Sequence, residues 1–311
     1  MSKFLIACLL LIFPIIVWGQ TADQYIQKAN KKYKEGKNKE ALNLYTKAID
    51  ICKDSSQYYV SRFHVYLSLG MTVEAFEDIN TALKLKPKNA ESYMLRGYLY
   101  YLLKKADKSI LDYTMAIEYA TSDSMKAFAF TNRASSKILN RDFIGCQADC
   151  RQSLLYDSLN IGALNNLAMS LDELGKGNEA IEYLKKIIQI DSTATFAIMN
   201  IGYKLSEEGK YKEALEYYDK AINSGYKQAF VFNNRGYARL KLGDVEGARE
   251  DINKSIKLDP SNSYAFRNLG YVNQAQGKIS KACENWNEAV RHGFTKYFGK
   301  EVEELLKKYC L

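Results

Sequence analysis

Small residues recur along this chain in a fixed rhythm. One stands at a given position, a second twelve later and a third seven after that, and the set tends to return every 34 residues. With each unit numbered from 1 to 34, the units begin at Ala22, Ser56, Ala90, Ala127, Ile161, Thr195, Ala229 and Ser263. Position 8 holds Ala29, Phe63, Gly97, Ala134, Ala168, Gly202, Gly236 and Gly270, with Phe63 the large exception. Position 20 holds Ala41, Ala75, Ser109, Cys146, Ala180, Ala214, Ala248 and Ala282. Position 27 is also mostly small, and position 24 mostly carries larger fillers such as Tyr45, Tyr113, Tyr218 and Trp286. Small residues at 8 and 20 predict two helices per unit in close approach. The third position predicts close packing of the second helix on the next unit.

The breaks between helices are legible too. Position 15 is glycine in six units, at Gly36, Gly70, Gly175, Gly209, Gly243 and Gly277. Glycine there can take the left-handed conformation that ends the first helix. Pro87 and Pro260 both fall at position 32, where the second helix has stopped. Only one interval departs from the period: Ser124, Met125 and Lys126 precede the unit at Ala127, and a local bend is expected there. After the last unit, residues 297–311 read as one final helix, with Val302, Leu305, Leu306 and Tyr309 on one face. Charged residues take its other faces, as suits a cap over an otherwise exposed core edge.

The stretch "YDKAINSGYKQAFVFNNRGYARLKLGDVEGAREDINKSIKLDPSN" resembles the tetratricopeptide repeat family, and the resemblance covers residues 22–296. Sel1-like repeats are the nearest rival, but their loops vary more in length. The resemblance implies an all-α fold: a right-handed α-solenoid of eight helix pairs plus the C-terminal cap. It also implies a concave surface lined by the first helix of each unit. Each pair buries its apolar side only by stacking on its neighbours.

On that surface the family pattern places positions 2, 6 and 9. Position 6 is Asn132, Asn166, Asn200, Asn234 and Asn268 in five successive units. An amide ladder of this kind can hydrogen-bond an extended peptide backbone. The alternative is that such asparagines bond a neighbouring helix. Tyr98, Tyr203, Tyr237 and Tyr271 at position 9, with Phe128, Phe196, Phe230 and Tyr264 at position 2, supply contact area, or else pad adjacent helices. Arg267, Glu207, Lys241, Asp172 and Glu173 are the charges in this groove. The family's two-carboxylate clamp for chaperone tails needs a lysine, asparagine and arginine pattern over three consecutive units, and no three units here match it.

The N-terminus is separate. Met1-Ser2-Lys3 is a short basic start, Phe4 to Trp18 is nearly all apolar, and Val17 and Gly19 are placed before a cut that leaves Gln20 first. This predicts a secretory signal peptide over 1–19. The run is short for a membrane span, and Cys8 precedes most of it, against a lipoprotein box. No membrane insertion is expected once the signal is removed. The expected location is the periplasm or cell surface of a Gram-negative bacterium, where disulfides form. The ending "KACENWNEAVRHGF…KYFGKEVEELLKKYCL" resembles the closing unit of secreted tetratricopeptide proteins of Bacteroidetes-type bacteria. That resemblance implies a Cys283–Cys310 disulfide. Cys146 and Cys150 occupy filler positions 20 and 24; a metal site would need further ligands, and the chain has only two histidines, His64 and His292. Cys52 has no obvious partner.

The net formal charge is +8, but the 44 basic residues are interspersed with 36 acidic ones. That spacing predicts solvated helix faces rather than a nucleic-acid patch. No catalytic constellation, cofactor motif or metal site is evident. The expectation is a non-enzymatic scaffold for a protein or extended peptide, using the Asn/Tyr/Phe groove. The alternative is a structural role through the convex face or the array ends.

Overall fold

A computed structural model describes residues 22–311. The signal peptide expected over 1–19 lies outside the described residues. The first unit comprises α1 (residues 22–34) and α2 (Asn38–Ile51). Six more pairs follow: α3 (Ser56–Ser68) with α4 (Thr72–Leu85), α5 (Ala90–Leu102) with α6 (Ala106–Tyr119), α7 (Asp123–Leu139) with α8 (Phe143–Tyr156), α9 (Ile161–Glu173) with α10 (Gly177–Ile190), α11 (Thr195–Glu207) with α12 (Tyr211–Asn223), and α13 (Ala229–Lys241) with α14 (Val245–Leu258). The last pair is α15 (Ser263–Ala275) and α16 (Ile279–Arg291), followed by α17 (Phe294–Phe298) and α18 (Glu301–Tyr309). Among the described residues there is no strand. From α2 to α8, and again from α10 to α18, each helix packs on the next, the arrangement of an α-solenoid of helix pairs. It divides into two compact bodies, one ending at Asn166 and the other running from Leu167 to Leu311.

In the first body, position 24 fills the space between the paired helices. Tyr45, Ile79, Tyr113 and Cys150 are all buried there. Phe63, the large residue at position 8, is fully buried against Val60, Ala75, Ile79, Ala82 and Leu99. Cys146 and Cys150 are likewise buried, with sulfurs 3.9 Å apart. The Cys146 contact and burial push the Cys150 thiol up, so it stays protonated and apolar in character. The three inserted residues extend α7 to 17 residues, against 13 in α5. Ser122 caps this longer helix by accepting from the Met125 N–H at 3.2 Å. The insertion therefore adds a turn of helix.

Position 15 obeys one backbone rule in all eight units. The six glycines there have φ between +72° and +86°. The other two units place Lys104 and Arg141 at the same point, both at φ +58°. The turn demands the left-handed region whatever the side chain, because the chain must reverse within two or three residues.

A second regularity was not anticipated. Arg62, Arg96 and Arg133 at position 7 each bind the aspartate sixteen residues on, Asp78, Asp112 and Asp149, through Nε and Nη2 at 2.7–2.8 Å. The third nitrogen reaches back to Thr46, Asn80 or Thr114 on the preceding second helix. Planar two-point pairing suits guanidinium and carboxylate geometry. The aspartates are 3–5% exposed, so these charges survive burial only as pairs.

In the second body, large residues at position 24 lie over glycine at position 8. Tyr218 covers Gly202, Ile252 covers Gly236 and Trp286 covers Gly270. A Cβ at Gly270 would overlap the Trp286 indole. Trp286 is also the centre of the C-terminal core, with Ala282, Ala289, Phe294 and Val302. Leu305 and Leu306 pack against that core, and Tyr309 meets Trp286 with ring centres 5.9 Å apart. The segment after the last pair is not one helix: Gly299, at φ +95°, separates α17 from α18. Cys283 on α16 and Cys310 just past α18 lie at bonding distance, with Cα atoms 5.8 Å apart.

Candidate functional site

The second body holds a cavity of about 330 Å³ between three consecutive first helices, α11, α13 and α15, and the second helix α12. Tyr203, Ser206 and Glu207 enter from α11, and Tyr211 and Tyr218 from α12. Asn233, Asn234 and Tyr237 enter from α13, and Tyr264, Arg267 and Asn268 from α15. Five tyrosines in so small a volume give wide apolar faces with hydroxyl rims. A second cavity of about 320 Å³ shares Tyr237 and adds Leu240, Lys241, Tyr271, Gln274 and Ala275.

The charges around the first cavity are matched. Arg267 is 15% exposed, and its Nη1 lies 3.1 Å from Glu301 at the start of α18. Its guanidinium carbon lies 5.1 Å from the Tyr264 ring centre, 5.4 Å from Phe294, 5.6 Å from Tyr237 and 5.8 Å from Tyr271. Aromatic faces attract a desolvated cation. Tyr271 donates its hydroxyl to Glu301 at 2.5 Å, and burial plus that carboxylate push its phenol up. Lys204 bridges Asp172 at 2.6 Å and Glu207 at 2.5 Å. Burial raises the Tyr218 phenol to about 12, and its hydroxyl pairs with Ser206 at 3.1 Å. The site therefore offers hydroxyls and amides beside paired charges. Among the described residues no group of three or more His, Cys, Asp or Glu is placed to hold a metal.

The predicted amide ladder is not a set of five equivalent ligand donors. Asn166 is 7% exposed and spends its Nδ2 on the Thr131 carbonyl at 3.1 Å and the Ser135 hydroxyl at 2.8 Å. Asn268 is 1% exposed and donates to Asn233 Oδ1 at 2.9 Å. Both stitch position 6 to the preceding first helix, Asn166 through a backbone carbonyl and a serine hydroxyl and Asn268 through a side-chain amide oxygen. Asn132 turns instead to its own helix, donating to the Phe128 carbonyl at 2.8 Å. Asn200 is exposed, and Asn234 is half-buried at the cavity wall.

The aromatics divide similarly. Tyr203, Tyr237 and Tyr264 line the first cavity, and Tyr271 lines the second. Phe196 and Phe230 are exposed outside both, with Phe230 edge-on to Tyr226. Tyr98 and Phe128 are exposed on the first body. Sequence reasoning missed Ser206, Tyr211, Tyr218, Asn233 and Glu301. Tyr218 stands at position 24, which the repeat pattern gives to filling, and Ser206, Tyr211 and Asn233 stand at positions 12, 17 and 5, outside the positions 2, 6 and 9 that the family pattern places on the surface. Glu301 reaches the site only because α18 folds back on the last pair.

The model of the "Tetratricopeptide repeat" family matches residues 161–193 and 197–224, and that of "TPR repeat" matches 236–277. Over 98 residues the chain is 34% identical to "Translocon at the outer membrane of chloroplasts 64" of Pisum sativum, covering 32% of this chain and 16% of that protein. It is 26% identical over 98 residues to the "Hsp70-Hsp90 organizing protein" of Triticum aestivum, covering 32% and 17%. The chain thus matches about a sixth of the length of these curated relatives. A solved tetratricopeptide repeat protein from Parabacteroides merdae superposes with a TM-score of 0.60 at 19% identity, covering 82% of this chain and 99% of that one. Repeats of this class act as protein-binding scaffolds and are generally non-catalytic. The 34-residue register, the helix pairs and these matches agree: the chain contains tetratricopeptide repeats.

Proposed function

We propose that this protein is a non-catalytic scaffold that holds a protein segment or extended peptide in the tyrosine-lined groove of its second body. The observation that carries this reading is the cavity between α11, α13 and α15. Tyr203, Tyr237 and Tyr264 give it rigid contact area, and Asn234 gives it an amide without a charge to satisfy. Tyrosine supplies binding area at low ordering cost. A location in the cell envelope fits the apolar segment at 4–18, and the Cys283–Cys310 pairing suits an oxidising compartment.

The test uses tagged protein as bait against an envelope extract of the producing cell, beside a triple variant Asn200→Ala, Asn234→Ala, Tyr237→Ala. The expected result is a protein captured by the parent and lost by the variant at unchanged helical content. Equal capture by both would remove the groove assignment. It would favour binding through the exposed aromatics of α17, Tyr297 and Phe298, the assembly reading. Recovery of the protein in cytosolic rather than envelope fractions would remove the location.

A further inference from the structure

We infer that Arg267 decides what kind of group the groove accepts, through a relay of three side-chain amides ending at Asn234. This rests on the groove reading above and names the chemistry of its ligand. Arginine carries only donors. Its Nε and Nη2 both point at Asn268 Oδ1, at 3.1 and 3.0 Å. Asn268 therefore has its oxygen committed and must present Nδ2 on its other side, where Asn233 Oδ1 lies 2.9 Å away. Asn233 in turn presents Nδ2 to Asn234 Oδ1 at 3.2 Å. Asn268 and Asn233 are 1% and 5% exposed, so no solvent competes to reverse either amide.

The sense of donation is thus set at one end and transmitted to the other. Asn234 is left with its oxygen occupied and its NH₂ facing the cavity. That NH₂ makes no hydrogen bond among the described residues, unlike those of Asn166 and Asn268. Hydrogen bonds in a chain polarise one another, and a cation at its head strengthens the last donor. Arg267 is itself neutralised by Glu301. The groove therefore takes an uncharged acceptor, a carbonyl of an extended backbone, and rejects a donor at this point. Arg267 is a positioning residue: it acts through Asn268 and Asn233.

Asn268→Asp is the decisive variant. It is isosteric and keeps the acceptor for Arg267, but aspartate cannot donate. Asn233 would then turn its NH₂ toward residue 268, Asn234 would turn its NH₂ toward Asn233, and the cavity would meet a carbonyl oxygen. The probes are N,N-dimethylacetamide, which only accepts, and pyrrole, which only donates through its N–H. The readouts are the Asn234 side-chain ¹⁵NH₂ and ¹³Cγ resonances of the labelled protein, assigned by their loss in Asn234→Asp. In the parent protein, dimethylacetamide should shift the NH₂ pair and pyrrole should not. Asn268→Asp should weaken the dimethylacetamide response by about tenfold, the worth of one hydrogen bond, and let pyrrole move ¹³Cγ. Arg267→Met should lose the selectivity and Arg267→Lys should keep it, which a purely structural role would not predict. An NH₂ response equal in the parent and Asn268→Asp, or no response in the parent, overturns the relay. Either result leaves the capture experiment to judge the peptide reading on its own.

Discussion

The two bodies put different chemistry at the same places of one 34-residue frame. In the first, position 7 is Arg62, Arg96 and Arg133 in successive units, each locked to an aspartate at position 23. In the second, position 7 is Leu167, Ile201, Arg235 and Leu269. Only Arg235 keeps the pairing there among the described residues, with Asp251 at 2.6 and 2.8 Å. Where the arginine is gone, position 23 is Tyr183, Tyr217 or Asn285. The first body ends two of its first helices on non-glycine residues in the left-handed region; in the second that turn residue is always glycine. Position 9 is Asn30, His64, Tyr98 and Ser135 in the first body, and Met169, Tyr203, Tyr237 and Tyr271 in the second. The helix pair therefore does not depend on one kind of filling. An ionic staple and an apolar contact both hold the first helix on the second. The second body, with one such staple and with glycine at three of its position-8 contacts, also opens a tyrosine-lined cavity.

The sharpest way to break this contrast is to cut one staple. Arg96→Met should leave Asp112 buried without its cation and cost about 3 kcal/mol. Because a repeat array unfolds unevenly, the loss should be read from faster amide exchange in α5 and α6. Arg96→Leu with Asp112→Tyr copies the leucine and tyrosine of the unit at Ile161, and should recover most of that loss. A double variant as unstable as the single one would show that the two fillings are not interchangeable.

A smaller effect of opposite sign is expected at the turn. Lys104 sits at φ +58°, where a Cβ carries a penalty that glycine avoids. Lys104→Gly should stabilise the unit by about 1 kcal/mol, seen as a rise in the denaturant midpoint. Gly209→Ala should move it the other way; since nothing lies within 4 Å of a Cβ added there, backbone strain alone is responsible. Equal midpoints for both variants would refute a backbone origin.

The smallest effect expected is a pH dependence at position 9. Burial pulls the His64 imidazole below its ordinary value of 6.5. The unfolded chain then takes up the proton first on acidification. The stability due to neutral His64 is complete above about pH 6.5 and is lost as pH falls through the lowered value. His64→Tyr, the residue that three units of the second body carry at this position, should flatten that part of the stability-against-pH curve. An unchanged slope would assign it to other groups.

Much of this was readable before any coordinates. Gly36, Gly70 and their counterparts mark the turns because only a glycine-tolerant backbone reverses so tightly. The small residues at positions 8 and 20 mark the helix contacts because a larger side chain would hold the axes apart. The Arg–Asp spacing of sixteen was equally present in the sequence. It went unread because exposed and buried charges look alike in a string of letters. The asparagine ladder shows the opposite failure. Five identical residues share one position, yet Asn166 and Asn268 bond the preceding first helix and Asn132 bonds its own.

The sequence by itself determined the all-helical repeat, its register and its turns, since these follow from local sterics repeated at a fixed period. Only the tertiary structure decided which amides bind neighbours and which face the cavity, and that Glu301 neutralises Arg267. Hydrogen bonds and charge pairs are satisfied across space, by partners 16 to 35 residues away, and a period says nothing about which lone pair is already taken.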